Sequence, residues 1–550
     1  MHTKFVVVLG SLMSGLGKGV VTSSILKMLS FYGYNALPIK FDGYLNYDCG
    51  TMNPYRHGEV FVLDDSGEVD MDFGTYERFL NKSMTTDQSI TGGKLFSAII
   101  QKERRGDFLG RDVQVIPHLT DYIIKSLEDL ARKKKVDVLV IEVGGTVGDI
   151  ENGYFIEAMR QLALNHRVVF VNLTYTPKLS VVGEQKTKPT QLAFRSLMQA
   201  GIVPNFIVCR SEDKLDPSTA KKLALFTNLD MNRIIDDANE ATIYETPINF
   251  MKQKFDKLLI RDLKLEPRKL DTKKLNKWKN IVNMIKNPKD SVTVAIVGKY
   301  TNLRDSYASV KEAIIHAGAW NHVSVNIKWI ESATLETSRN MDALSDVDGI
   351  IVPGGFGRRG IEGKILAIKY AREQKVPYLG LCLGMQLMTI EYARNVCGLK
   401  GANSTEFSPR TKYNVIDLLP SQRGVKEKGG TMRLGAWKCR ILSKDSIAYR
   451  SYKKEIISER HRHRYELNNK YKRLLERNGL RITGTTLDGK LVEITEWPNQ
   501  FGIGTQAHPE LKSRPESPAP LFVSFIDASK RYKSAKKRLN QGKPLLKASL

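Results

Sequence analysis

Cysteine is scarce in this 550-residue chain. The five residues, Cys49, Cys209, Cys382, Cys397 and Cys439, form no CxxC pair and no Cys/His zinc spacing. That excludes a disulfide framework and fits a reducing cytoplasm, where a single activated thiol can do chemistry. Long apolar runs are also missing: no window approaches the roughly eighteen apolar residues that a membrane-spanning helix needs. The first apolar run, residues 5–9, is too short for a secretory signal and leads straight into a glycine loop. Acid is in deficit, with 59 Asp and Glu against 85 Lys and Arg, a net charge of +26. Such a balance suits a polyanionic partner or a surface adapted to its cytoplasm. The excess is diffuse, peaking only at 261–289 and in the acid-free stretch 531–550, so nucleic acid is not expected as a main partner. A hydrophobic share of 41% and a charged share of 26% exclude wholesale disorder and fibrous repeats.

Apolar strands alternate with helical patterns through the first half: strands at 4–10, 36–41, 136–143, 168–173 and 205–209, and an amphipathic helix at 18–32. This predicts a parallel sheet with crossover helices. Composition changes at 267–290, rich in Lys, Asn and Asp, with a short helix at 273–285. Alternation resumes with strands at 291–297, 326–330, 349–352 and 378–381. The predicted fold is α/β, with two doubly wound domains at 1–266 and 291–530, a linker at 267–290 and a basic tail at 531–550. The tail is expected to be solvated and disordered, with RNA or a neighbouring subunit as alternative partners.

The strand at 5–9 opens into Gly10-Ser-Leu-Met-Ser14-Gly15-Leu16-Gly17-Lys18-Gly19. Glycines let backbone N–H groups approach phosphates, the next helix offers its positive end, and Lys18 adds charge. Leu12 and Gly19 break the strict P-loop pattern, and an ordinary strand–turn–helix corner would also carry such glycines. Lys40 ends the second strand, Asp72 lies in an acidic stretch, and Glu142 ends the strand at 136–143. Two carboxylates at strand ends are hard oxygen donors suited to magnesium and a nucleotide.

Residues 377–386, Pro-Tyr-Leu-Gly-Leu-Cys-Leu-Gly-Met-Gln, read as a buried strand entering a glycine turn and a helix. Cys382 at that turn is either a nucleophile, with the helix N-terminus favouring its thiolate, or a buried structural cysteine. Gly354-Gly355-Phe-Gly357 follows another strand and can aim N–H groups at an oxyanion. His508-Pro-Glu510 supplies a base and a carboxylate to orient it.

Gly354–Gly357, Cys382 within Gly-Leu-Cys-Leu-Gly-Met-Gln, and His508-Pro-Glu510 together resemble a class I glutamine amidotransferase domain. The first half carries Gly50-Thr-Met-Asn-Pro54, Lys102-Glu-Arg-Arg-Gly-Asp107, Gly144-Gly-Thr-Val-Gly-Asp-Ile-Glu151 and Lys186-Thr-Lys-Pro-Thr-Gln191. Between the glutaminase motifs lie Asn403-Ser-Thr-Glu-Phe407, Gly429-Gly-Thr-Met-Arg-Leu-Gly435 and Glu459-Arg-His-Arg-His-Arg-Tyr-Glu466. In this order, over residues 3–530, the set resembles the CTP synthase family.

The resemblance implies ATP-dependent amination of UTP to CTP through a 4-phosphorylated intermediate, with ammonia made from glutamine and channelled internally. It implies Mg2+ with ATP, GTP as activator, CTP as inhibitor, a homotetramer, a cytoplasmic location and no membrane. It makes Cys382 the nucleophile, His508 its base and acid, and Glu510 the orienting group. Gly355, Leu383, Gly384, Met385, Gln386, Glu406 and Arg464 fall at glutamine-binding positions. Gly15, Leu16, Gly17, Lys18, Gly19 and Asp72 fall at ATP positions, Lys40 at a phosphate position, and Asp72 and Glu142 at metal positions. Ser14, Asp149, Ile150, Glu151, Lys186, Thr187, Lys188, Pro189, Thr190, Gln191 and Lys222 fall at UTP or CTP positions, and His57 on the ammonia route. Gly15, Gly43 and Cys49 depart from the usual serine and prolines. Two other readings are a nucleotide-binding assembly protein without catalysis, and an amidotransferase with another acceptor. Lys18, Asp72, Glu142, Cys382, His508 and Glu510, all present, argue against the first; the pairing of 149–151 with 186–191 argues against the second.

Overall fold

The computed structural model describes residues 3–541, apart from 180, 182, 300, 302, 339 and 427. The chain divides into two compact units. One comprises Met1–Cys49 and Thr75–Lys286, the other Gly50–Gly74 and Asn287–Leu550.

In the first unit, seven parallel strands lie in the order Ile234–Ala238, Phe206–Ser211, Val168–Tyr175, Lys4–Gly10, Val138–Val143, Ala36–Asp42, Ser89–Thr91. Parallel sheets are covered on both faces, so their strands are apolar throughout. Val6, Val7 and Val8, and Val138 to Ile141, are each fully buried. The order steps to either side of Lys4–Gly10, which opens a crevice at the carboxyl ends of the strands, where the glycine loop begins.

The stretch read as a linker is more than a tether. Helix Thr272–Lys286 matches the expected helix but packs on the first unit. Trp278 is buried with Phe31, Phe79 and Tyr244, and its indole N–H donates to the Tyr244 carbonyl at 2.8 Å.

In the second unit, nine strands run Val323–Glu331, Asp290–Gly298, Gly349–Val352, Tyr378–Leu381, Gly502–Thr505, Val492–Glu496, Arg481–Thr486, Arg433–Ile441, Ile456–His463. The first five are parallel and the rest antiparallel. The tail differs from expectation as far as it is described. Helix Pro520–Asn540 runs through residue 531 without a break. Phe522, Phe525 and Ile526 are buried and Lys533 pairs with Asp290 at 3.3 Å, so packing orders the basic stretch to 540. Residues 542–550 lie outside the described part.

The segment Gly50–Gly74 leaves the first unit in sequence but packs with the second. Its hairpin is fastened by Arg460 to Asp64 at 2.7 Å and Arg462 to Glu68 at 2.8 Å. Domain limits drawn from motif order therefore run through a segment that belongs elsewhere in space.

Candidate active site

Strand Tyr378–Leu381 ends at Cys382, whose φ of +49° and ψ of −99° are strained for a residue with a side chain. Two features hold it. Its N–H donates to the Thr505 carbonyl at 2.7 Å. Gly384 lies so close to the neighbouring strand that a Cβ there would sit 2.1 Å from the Val352 carbonyl oxygen. The turn presents the thiol at the start of helix Leu383–Asn395, whose first N–H groups have no intrahelical acceptor and favour negative charge. Leu383 and Met385, on that first turn, are buried.

His508 Nδ1 and Glu510 Oε1 are 2.7 Å apart, so the ring donates Nδ1–H to the carboxylate. Nε2 is buried and has no hydrogen-bond partner among the described residues. A Cβ on Gly354 would lie 2.8 Å from His508 Cε1 and 3.7 Å from Cys382 Cβ, so ring and nucleophile flank the same glycine. Burial works against a charged ring, but the Glu510 carboxylate and the Cys382 sulfur outweigh it and push His508 up to about 10. The ring is thereby favoured in its imidazolium form.

A residue the sequence reading passed over completes the set. Gln506 Nε2 donates to Cys382 Sγ at 3.4 Å. Gln386 holds Gln506 in turn: its Nε2 donates to Gln506 Oε1 at 3.3 Å and to the Tyr465 carbonyl at 2.8 Å. The signal available was period two, since in extended chain Gln506 shares a face with His508.

The glycine loop follows strand Gly349–Val352. Lys299 Nζ donates to the Phe356 carbonyl at 2.5 Å and to that of Gly357. Gly357 N–H donates to Glu406 at 2.9 Å. Burial pulls Lys299 down to about 8 and pushes Glu406 up. Arg464 donates to the Gln422 side chain and, at 2.6 Å, to the Lys428 carbonyl. Cys382, His508, Glu510, Gly355 and Arg464 line one cavity of about 440 Å³, within the usual range for a small-molecule site. Met52, Pro54 and Val60 of the Gly50–Gly74 segment also line it. His57, expected on an ammonia route, is exposed at the end of helix Pro54–His57 and does not line this cavity.

In the first unit the glycine loop adopts the expected strand–loop–helix path. Gly15 and Gly17 have φ of +78° and +96°, so glycine in place of the usual serine at 15 relieves strain. Gly19 is buried in the first turn of helix Lys18–Phe31, Leu16 is buried, and Ser14 is exposed. Lys18 folds back over Gly10 and donates to the Gly145 carbonyl at 2.6 Å. Lys40 is buried, 3.8 Å from Glu142 and 3.9 Å from Asp42, and Glu142 also accepts the Tyr76 hydroxyl at 2.5 Å. Asp72 opens helix Asp72–Leu80, at the end of the segment that packs with the other unit. No group of three or more His, Cys, Asp or Glu suited to a metal occurs among the described residues. Asp72 and Glu142 belong to different units, and each carboxylate is by its chemistry a hard oxygen donor of the kind magnesium takes.

Asp149 caps a turn by accepting Thr146 N–H at 2.7 Å and the Thr146 hydroxyl at 2.8 Å; Ile150 and Glu151 beside it are exposed. At Gly43 a Cβ would meet Asn152 Oδ1 at 2.4 Å, which accounts for glycine there. Cys49, the other departure, is buried against the Tyr44 hydroxyl at 3.3 Å. Thr187 and Pro189 start helix Lys188–Gln199, while Thr190 and Gln191 are buried, Gln191 donating to Thr187 at 3.1 Å. Lys186 pairs with Glu184 at 2.8 Å, and that ion pair, with Lys222 nearby, holds the Glu184 carboxyl below its ordinary value. No hydrogen bond or ion pair among the described residues joins 149–151 to 186–191.

Among the described residues no helix is long and apolar enough to cross a membrane. A family model described as CTP synthase N-terminus matches residues 4–265, and one described as glutamine amidotransferase class-I matches residues 302–528. A CTP synthase of Pyrococcus abyssi is 51% identical, covering 97% of this chain and 99% of its own. A CTP synthase of Caldanaerobacter subterraneus is 48% identical over 96% and 98%. Among solved structures, the acivicin-bound glutaminase domain of a Trypanosoma brucei relative is 37% identical, covering 46% of this chain and 96% of its own, with a TM-score of 0.41. On its sequence relatives over nearly the full length, this chain belongs to the CTP synthase family of glutamine amidotransferases.

Proposed function

We propose that the chain converts UTP to CTP with ATP, Mg2+ and glutamine, and that Cys382, His508 and Glu510 make the ammonia. The observation that carries this reading is the Cys382–His508–Glu510 cluster in one cavity, on a chain with a phosphate loop in its other unit. The Cys382 thiolate attacks the side-chain amide carbon of glutamine, and the oxygen takes the electron pair. N–H groups of Gly355 and Leu383 stabilise it. As the C–N bond breaks, His508 Nε2–H protonates the leaving nitrogen, which departs as ammonia. Water then attacks the glutamyl thioester, losing a proton to His508, and glutamate leaves with Cys382 restored. Glu406 and Arg464 suit the amino and carboxylate ends of glutamine by charge. Leu383, Gly384, Met385 and Gln386 shape the floor.

In the synthase half, Gly15 to Gly19 and Lys18 cradle the ATP phosphates and Lys40 neutralises transferred charge. Asp72 and Glu142 would hold Mg2+, which supplies charge neutralisation on the phosphates. Phosphorylation of UTP at O4 makes phosphate the leaving group, and ammonia displaces it at C4. Ser14, Asp149 to Glu151, Lys186 to Gln191 and Lys222 bind UTP, or CTP as inhibitor. His57 serves the ammonia route. GTP activates the glutaminase, and the working form is a cytoplasmic homotetramer.

The test is CTP formation from UTP and ATP–magnesium with glutamine or ammonium chloride, each with and without GTP. Product from both, with GTP helping only glutamine, is expected. A folded protein that forms no CTP from either source overturns the reading.

A further inference from the structure

Lys364, in the first turn of helix Ile361–Glu373, has no place in the mechanism above. Its side chain is fully buried, yet Nζ has no hydrogen-bond partner among the described residues. A buried donor left unpaired forfeits the hydrogen bonds it would make in water, so an idle amine here needs a reason. Its position supplies one. A Cβ on Gly355 would lie 3.8 Å from Lys364 Nζ and 3.7 Å from Leu383 Cδ2. The amine therefore sits beside the glycine whose N–H is to meet the oxyanion, with the first turn of the nucleophile's helix close by. The next two carbonyls of the loop, at Phe356 and Gly357, are already held by Lys299. Among the described residues, the Gly354–Gly355 stretch is left without such an anchor.

We propose that Lys364 is a positioning residue of the glutaminase: when glutamine occupies the cavity its amine takes a carbonyl oxygen of the Gly354–Gly355 stretch as acceptor. Within one peptide plane the C=O and N–H point in opposite directions. A carbonyl held on the lysine side keeps the paired N–H on the cavity side, where oxygen gains charge. Burial pulls Lys364 down to about 7 and Lys299 lowers it further, while Glu331 and the Cys382 sulfur oppose them. Arg359 and Glu406 act on Lys299 in turn. Substrate charge beside the loop favours the ammonium form, the stronger donor.

The proposal rests on the glutaminase reading, and one experiment separates the two. Lys364→Met keeps the apolar stem and removes the donor. Glutamine hydrolysis by this variant should lose about tenfold in kcat, less than the 10²–10³ of losing an oxyanion donor outright. KM should change little, and the pH dependence near 7 should flatten. Ammonia-dependent CTP formation and the rate of Cys382 alkylation by iodoacetamide should match the parent enzyme. Unchanged kcat at every pH, or equal loss of the ammonia-dependent reaction, overturns the role of Lys364. Glutamine hydrolysis that survives Cys382→Ala overturns the underlying reading instead.

Discussion

In the C-terminal unit, Cys382, Gln506, His508 and Glu510 come from stretches more than a hundred residues apart, yet sulfur, amide, imidazole and carboxylate already interact. In the N-terminal unit, three of the cations proposed to bind nucleotides each rest on an acceptor of their own: Lys18 on the Gly145 carbonyl, Lys40 near Glu142 and Asp42, Lys186 on Glu184. The difference follows from the chemistry. Making a covalent bond to carbon needs donors and base aligned before substrate arrives, because misalignment of about an ångström costs about 10²-fold. Binding a polyphosphate needs charge and backbone N–H groups, which the ligand itself can gather from resting partners. One half is built as a finished tool, the other as a set of grips.

The sharpest way to break this comparison is Cys382→Ala. Glutamine-dependent CTP formation should vanish, while formation from ammonium chloride stays within about twofold, because the removed sulfur serves only thioester chemistry. Equal loss of both would mean that the halves are not chemically independent.

Lys18→Ala makes the converse cut. On the proposed phosphate role, loss of its charge should reduce CTP formation about 10²–10³-fold from either nitrogen source. Glutamine hydrolysis measured alone should persist. A variant in which glutaminase falls in step would show that the resting contact to Gly145 supports more than phosphate binding.

Glu510→Gln sharpens the comparison through pH. Its carboxylate is the largest charge opposing burial at His508, so without it the ring should fall from about 10 toward its ordinary 6.5. The alkaline limb of kcat/KM for glutamine should shift the same way, with about 10²-fold loss at neutral pH, chiefly because the ring loses the carboxylate that orients it. The stability sign is fixed too. A histidine raised in the folded state contributes stability that is complete below 6.5 and lost as pH rises through about 10. The variant should lose that dependence in thermal melts taken across the window.

The phosphate loop, the cysteine turn and His508-Pro-Glu510 were legible because each is local: a strand, glycines and a functional group within ten residues. What escaped was non-local. Strand Ile456–His463 carries Glu, Arg, His, Arg and His, a run with no apolar alternation, yet Arg460, His461 and His463 are buried. Their partners Asp64, Glu493 and Arg433 lie far away in sequence, and no period within the strand reveals pairing. The segment Gly50–Gly74 escaped similarly, since its place depends on Arg460 and Arg462, some four hundred residues on.

Gln506 gives the smallest expected effect and the finest discrimination. Its amide donates to Sγ at 3.4 Å, and a neutral hydrogen bond is worth about 0.5–1.5 kcal/mol net. Gln506→Leu should therefore slow thiolate-dependent steps about three- to tenfold, read as the alkylation rate of Cys382 and as kcat for glutamine. The comparison predicts that both rates fall together, because a preassembled site has its donor in place before any substrate binds. If alkylation is unchanged while kcat falls, Gln506 acts only once glutamine is bound, and the glutaminase, like the nucleotide half, would be gathered by its ligand.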